Sequence, residues 1–201
     1  MISVAWTREA LVDPIRERIS RVSVERLGSW LSYLCRDPLP CRQANYVRAG
    51  QQRSTLDEAD AYIQNELEAM GYGVRLDEHR AQAFRRDTSR PLAHQYSPPL
   101  PEDPWYTLRN LYAVKPAHDP QAELVIALAH KDSQSWIPCS PGAQDNGVGT
   151  VALMELAQLL AEYDNEREMW FLWCNEEHTP WTSIAAAQQV AASGRRVAAV
   201  L

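Results

Sequence analysis

The sequence lacks any surplus of positive charge. Its 20 Lys and Arg stand against 26 Asp and Glu, a formal net charge of −6. Nucleic acid and anionic membranes both select clustered Lys and Arg, so neither is an expected partner. No apolar run approaches the roughly 20 residues that cross a bilayer. The opening stretch MISVAWTREALVDPIRERIS puts Arg and Glu where a signal peptide needs an apolar core. The cysteines are Cys35, Cys41, Cys139 and Cys174. None forms a C-x-x-C pair, which argues against a zinc knuckle or a thioredoxin-like site. Reduced thiols fit a reducing compartment, and a cytoplasmic protein is the expectation. Internal repeats are also missing. What is present is ordinary globular material, 45% hydrophobic and 23% charged over 201 residues. That suits a single domain, or most of one.

The first half reads mainly as helix. Residues 8–36 predict two helical pieces broken near Pro14 or Ser20–Ser23, with Val24, Leu27, Leu31 and Leu34 at helical spacing. A loop covers CRDPLPCRQANYVRAGQQRS. Thr55 and Glu58 then match a capping box, ahead of Leu56, Ala59, Ile63, Leu67 and Met70 on one face, with Gly71 and Gly73 as the stop. Residues 74–84 read as a strand. Residues 85–105 are polar and contain Pro91, Pro98, Pro99, Pro101 and Pro104, which predicts a long surface loop or lid.

The second half alternates. TLRNLYAV, ELVIALAHKD, EMWFLWCNEE and RVAAVL read as strands. ELVIALAHKD is apolar almost throughout, as in a strand buried on both faces. GVGTVALMELAQLLAEY and SIAAAQQVAASG read as the helices between them. Strands alternating with helices predict an α/β, three-layer sandwich: a mostly parallel mixed sheet flanked by helices.

In open α/β sheets, ligands bind beyond the carboxyl ends of the strands. His130 and Asp132 fall at one such end, Glu176 and Glu177 at another, and Asp145 lies between a loop and a helix start. The acids and the best-placed histidine thus converge on one rim. Imidazole and carboxylates together suit Zn²⁺ and similar ions, and packed acids would repel one another without a cation. His130 and Asp132 lie two apart, so they face the same side of a strand. Asp132 can then orient the imidazole. Adjacent Glu176 and Glu177 can serve one site only if the strand has ended there, one binding metal and the other taking a proton from water.

AHKDS, PGAQDNGVG and CNEEHTPWTS, in this order, resemble the di-zinc aminopeptidases of metallopeptidase clan MH, family twenty-eight. The resemblance runs from about Val24 and is specific from Asn110 onward. It implies a zinc-exopeptidase-like catalytic domain over 1–201, acting on peptides and hydrolysing N-terminal peptide bonds through metal-activated water. His130 would bind one zinc, Asp145 would bridge two, Glu177 would bind the other, Glu176 would be the general base and Asp132 would orient His130. A cis peptide after Asp145 is also implied. Gln144, Val148 and the NEEHTPW loop depart from the family's usual residues and leave the substrate class open. A glutaminyl-cyclase-like or other amide-processing enzyme, and a non-catalytic peptidase-like interaction domain, are the alternatives. The family has two further ligands, an aspartate after the next strand and a later histidine. No aspartate follows Glu177 here. The expectation is therefore an N-terminal portion, incomplete at the C-terminus, poorly soluble and inactive alone.

Single residues have plainer readings. Asp145 alone is a helix N-cap beside Asn146. His79, His94 and His118 sit in polar or turn-rich surroundings. Cys139 and Cys174 read as structural, Trp136 and Trp181 as loop or core packing, and His178 as poorly placed for the missing late histidine.

Overall fold

The computed structural model describes residues 8–201, with side chains from residue 14 onward. The start of the stretch read against a signal peptide lies outside the described residues. Two helices open the chain, α1 (Arg8–Ser20) and α2 (Val24–Cys35), broken where expected. Ser23 begins α2 by accepting the Arg26 amide. The next helix, α3 (Thr55–Ala69), carries its capping box one residue earlier than the spacing suggests. Ser54 and Asp57 form it. Thr55 is buried, and its hydroxyl accepts the Gln43 amide at 3.1 Å instead. Leu56, Ala59, Ile63 and Leu67 are buried as a stripe, and Gly71 closes the helix at φ +91°, a conformation only glycine adopts cheaply.

The strands follow as β1 (Val74–Ala83), β2 (Arg85–Arg86), β3 (Tyr96–Ser97), β4 (Trp105–Lys115), β5 (Leu124–His130), β6 (Glu168–Cys174), β7 (His178–Thr179) and β8 (Val197–Val200). Helix α4 (Val148–Leu160) lies between β5 and β6, and α5 (Thr182–Ser193) between β7 and β8. The main sheet has the order β7-β1-β4-β6-β5-β8. Only the β5–β6 and β5–β8 pairings are parallel; β1–β4, β1–β7 and β4–β6 are antiparallel. The expected α/β sandwich holds, but its sheet is mixed rather than mostly parallel. Parallel neighbours need a crossover helix between them. That condition is met only where α4 and α5 intervene.

Alternation along β4 and β6 builds the three layers. Leu111, Ala113, Phe171 and Trp173 pack under α2, α3 and α4. Tyr112, Leu172 and Cys174 point the other way, onto Ala186 of α5. The second face is only partly covered. Leu128 and Val200 line an open cavity of about 580 Å³ beside α5, so β5 is not buried on both faces along its whole length. Residues 84–104 form no layer. They hold the short β2–β3 pair and a 3-10 turn at Leu92–His94, beside an aromatic trio of Phe84, Tyr96 and Trp136.

Candidate metal centre

Three polypeptide segments meet at the carboxyl ends of β5 and β6. The first is the end of β5 itself. His130 closes the strand, and Lys131 extends the ladder through its amide to Cys174 O at 2.9 Å. Alternation then sends His130 and Asp132 one way and Lys131 the other. Lys131 is fully buried, with Nζ 2.8 Å from Asp60 and 2.7 Å from Asn175 Oδ1.

The second segment, residues 133–147, brings Asp145. It follows an irregular path with many backbone groups needing partners. Arg42, Gln43 and Asn45 from the loop before α3 supply partners, Asn45 by donating to the Ser135 carbonyl at 2.9 Å. Arg42 is fully buried. Its guanidinium donates to the carbonyls of Lys131 (2.6 Å), Leu34 (2.9 Å), Pro141 (2.8 Å) and Gly142 (2.8 Å). Gln43 donates to the carbonyls of Gln134 and Ile137 and accepts the Cys139 amide at 3.1 Å. Gly142 sits at φ +54°, where a Cβ would stand 2.6 Å from Ser133 Cβ and 2.7 Å from Asp145 O. No larger residue fits there without moving the backbone that carries Asp145. The Asp145–Asn146 peptide is cis, as the resemblance implies. The cap of α4 is made by Asn146, whose Oδ1 accepts the Gly149 amide at 3.0 Å. Asp145 is thereby free to face His130, its Oδ1 3.1 Å from His130 Nε2.

The third segment is the turn 175–178, where β6 has ended, so Glu176 and Glu177 no longer alternate across a sheet. Asp132 organises it. Its carboxylate, fully buried, accepts the Glu176 amide at 2.9 Å and the Glu177 amide at 2.8 Å. His178 Nδ1 lies 2.8 Å from the same carboxylate. Asp132 was expected to orient His130. It does approach His130 Nδ1, at 3.4 Å, yet Nδ1 is buried without a hydrogen-bond partner. Its shorter contacts all go to the turn. His178 points inward and is no part of the cluster.

His130, Asp145 and Glu177 each present one ligand atom, all within 4.8 Å of one another. The His130–Asp145 separation of 3.1 Å is close to the ~3.3 Å spanned by two donors at about 2.0–2.1 Å around a tetrahedral ion. Electrostatics agree with the distances. Burial pushes the Glu177 carboxyl up to about 7; Asp132 and Asp145 add to this and His130 opposes it. Burial tends to lower His130, but the carboxylates of Asp132, Asp145 and Glu177 outweigh it and hold the imidazole above its usual range. Burial would also raise Asp132, yet its contacts with His130 and His178 keep it well below the ordinary carboxylate range. Glu176 contributes to the pressure on Glu177, and its Oε1 is buried with no hydrogen-bond partner. One imidazole and two carboxylates, crowded by further acids, suit a borderline divalent cation such as zinc. The residues present fit the metal that the motifs imply.

Sequence reasoning had singled out His130, Asp145 and Glu177, the three residues that cluster here. It missed Arg42 and Gln43, which lie in a stretch read only as loop, and it gave His178 no part in holding the turn.

Comparison with known proteins bears on the family the motifs resemble. Residues 110–201 match the family model for Peptidase family M28, the part of the chain in which the motifs lie. The resemblance read from the motifs is therefore shown. Nicalin of Caenorhabditis elegans is 36% identical over 87 residues, 43% of this chain and 15% of Nicalin. Aminopeptidase YwaD of Bacillus subtilis is 36% identical over 67 residues, 33% of this chain and 14% of YwaD. The chain thus matches only a small part of the length of these relatives. Among solved structures, the LapA aminopeptidase of Legionella pneumophila superposes with a TM-score of 0.66 at 19% identity, over 100% of this chain and 47% of LapA. A glutaminyl cyclase of Tannerella forsythia superposes with a TM-score of 0.56 at 14% identity, over 77% of this chain and 47% of the cyclase. At such identities the superpositions show a shared fold and nothing finer.

Proposed function

We propose that this chain contributes the metal-binding rim of a zinc-dependent exopeptidase that removes N-terminal residues from peptides. The observation that carries the reading is the convergence of His130, Asp145 and Glu177 within 4.8 Å, with Glu176 on the adjoining residue. In this reading His130 and Glu177 would each hold a zinc ion and Asp145 would serve both. A zinc ion bound there would polarise the scissile carbonyl and lower the pKa of water. Glu176 would take the proton from the attacking water and pass it to the leaving amine, and its unpartnered Oε1 suits that task. Asp132 would keep the two glutamates in register by holding their amides. The reading includes a peptide substrate and a cytoplasmic location, the latter supported by four free thiols. Among the described residues no helix is long and apolar enough to cross a membrane.

A glutaminyl-cyclase-like reaction is the second reading, supported by the cyclase among the structures of the same fold. The decisive experiment on the whole protein is elemental analysis followed by a panel of aminoacyl-anilides and N-terminal glutaminyl peptides. The peptidase reading expects zinc and anilide turnover. It expects Glu176→Gln to keep zinc and lose most turnover, and Glu177→Ala to lose metal. Protein free of zinc after loading at micromolar concentration refutes it. Cyclisation without anilide hydrolysis selects the second reading.

A further inference from the structure

We infer that His178 is a positioning residue for the metal centre, acting through Asp132. This rests on the metal-site reading above and adds to it a residue outside the ligand set.

His178 is fully buried, and both ring nitrogens have assigned tasks. Nε2 accepts the Ala44 amide at 3.3 Å. Nδ1 is then the protonated nitrogen and donates to Asp132 Oδ2 at 2.8 Å. The main chain is tied as well, since His178 pairs with Ala83 at the end of β1. Three separate segments thus hold this one residue: β1 its main chain, and the loop before α3 and the carboxyl end of β5 its ring.

The consequence falls on Asp132. Oδ2 receives two donors, His178 Nδ1 and the Glu177 amide; Oδ1 receives the Glu176 amide. A carboxylate free to rotate could satisfy one amide and drop the other. A ring donor fixed from behind allows only the orientation in which both amides are met. Those amides belong to a proposed ligand, Glu177, and to the proposed base, Glu176. The histidine therefore sets where both side chains start from the backbone. Outer partners of this kind are worth about 10–100-fold in metal affinity.

The test is a set of three variants of the whole protein. In His178→Asn the side-chain amide can stand where Nδ1 stands and donate to Asp132. In His178→Gln the polar atoms lie at the distance of Nε2, and the donor to Asp132 is lost. In His178→Leu both contacts vanish while volume is nearly kept. Zinc affinity is read by competition with a chelator. The Glu176 and Glu177 amides are read by NMR, through their chemical shifts and exchange rates without metal. We expect Asn to stay within about threefold of the parent in zinc affinity and to keep both amides shifted and protected. We expect Gln and Leu to lose about 10–100-fold and to release both amides. Leu that keeps affinity and amide protection overturns the inference. So does Asn that behaves like Leu, and so does equal collapse of all three variants, the pattern of a general packing role. If the parent binds no zinc, the metal reading fails, while the amide signals still decide the positioning of the turn.

Discussion

The two loops that meet at the site are held by opposite charges. Residues 133–147 are held largely by a buried cation: Arg42 donates into the carbonyls of Pro141 and Gly142, ties them to those of Leu34 and Lys131, and Gln43 donates into two more carbonyls of the loop. The turn 175–178 is held by a buried anion: Asp132 accepts two amides and a ring N–H. The difference follows from what each backbone offers. A loop that runs past Pro141 and turns at Gly142 leaves carbonyls facing inward. A turn leaving a strand end presents successive amides. Each loop needs the charge that matches its exposed dipoles, because an unmet buried polar group costs about 1–3 kcal/mol. The lesson is that a rim of metal ligands is shaped from behind, by charged residues that never touch the metal.

The largest expected effect breaks the first loop. Arg42→Met keeps length and removes every side-chain donor, so the carbonyls of Leu34, Lys131 and Pro141 lose the guanidinium, while Gly142 O keeps the Gly147 amide at 2.8 Å. At about 1–3 kcal/mol each for these three, a loss of ~3 kcal/mol or more is expected. That is a large fraction of the ~5–15 kcal/mol stability of a typical domain. Urea unfolding should show a chain without a cooperative transition at 37 °C. A loss under about 1 kcal/mol would mean that Gln43 and Asn45 hold the loop unaided.

Next comes the anion. Asp132→Asn should weaken zinc binding by up to about 100-fold, since one carboxylate oxygen becomes an amide nitrogen facing N–H donors. This residue also carries a pH signature. Its carboxyl lies below the ordinary range in the folded chain, so its stabilising contribution is fully present above about pH 4 and is lost as pH falls further. Acid titration of stability should therefore be flatter below pH 4 in Asp132→Asn than in the parent. Equal acid sensitivity in both would show that the carboxylate is not the group being titrated.

These two anchors also mark what was legible in the sequence. His130, Asp145 and Glu177 could be read because strand ends, a Gly-flanked loop and paired acids are local signals. Arg42 could not. Leu34, eight residues away, shows no pattern that marks it as an acceptor, and the other acceptors lie as far off as Gly142, about a hundred positions along the chain. The capping box was misplaced by one residue because Ser54 and Thr55 are both good caps, and burial of Thr55 against Gln43 decided between them. The parallel content of the sheet was overestimated because β1 and β4 look like any other strands. Their antiparallel pairing depends on the connection through residues 84–104, which has no helix to carry a crossover.

A smaller effect sharpens the site itself. Glu177 sits at about 7 and His130 above its usual value, and both must shed a proton before ligating a cation. Protons therefore compete with zinc below about pH 7, and zinc affinity should climb between pH 6 and pH 8. Each proton released adds up to tenfold per pH unit. Glu177→Gln should bind less zinc at every pH and show a shallower climb by about one proton. A parent whose affinity is flat over that range would mean the two groups are not ligands.

The smallest effect separates two neighbours in the first loop. Asp145 and Asn146 both stand where an N-cap is expected, and the structure divides the work: Asn146 caps α4 through the Gly149 amide, and Asp145 faces His130. Asn146→Ala should then cost about 1 kcal/mol, within the 0.5–2 kcal/mol usual for a lost cap, and leave the number of zinc donors unchanged. Asp145→Ala removes a donor but no cap, so its loss should appear in zinc affinity and little in urea unfolding. The pair thus gives crossed results from adjacent positions. If Asp145→Ala proves the more destabilising in urea and Asn146→Ala the more damaging to zinc, the two side chains have exchanged roles and the cluster of three donors is wrongly drawn. The division has a physical reason. A cap amide can be satisfied by a neutral oxygen, so using the charged residue for it would cost the site a negative donor and return nothing that asparagine does not already supply.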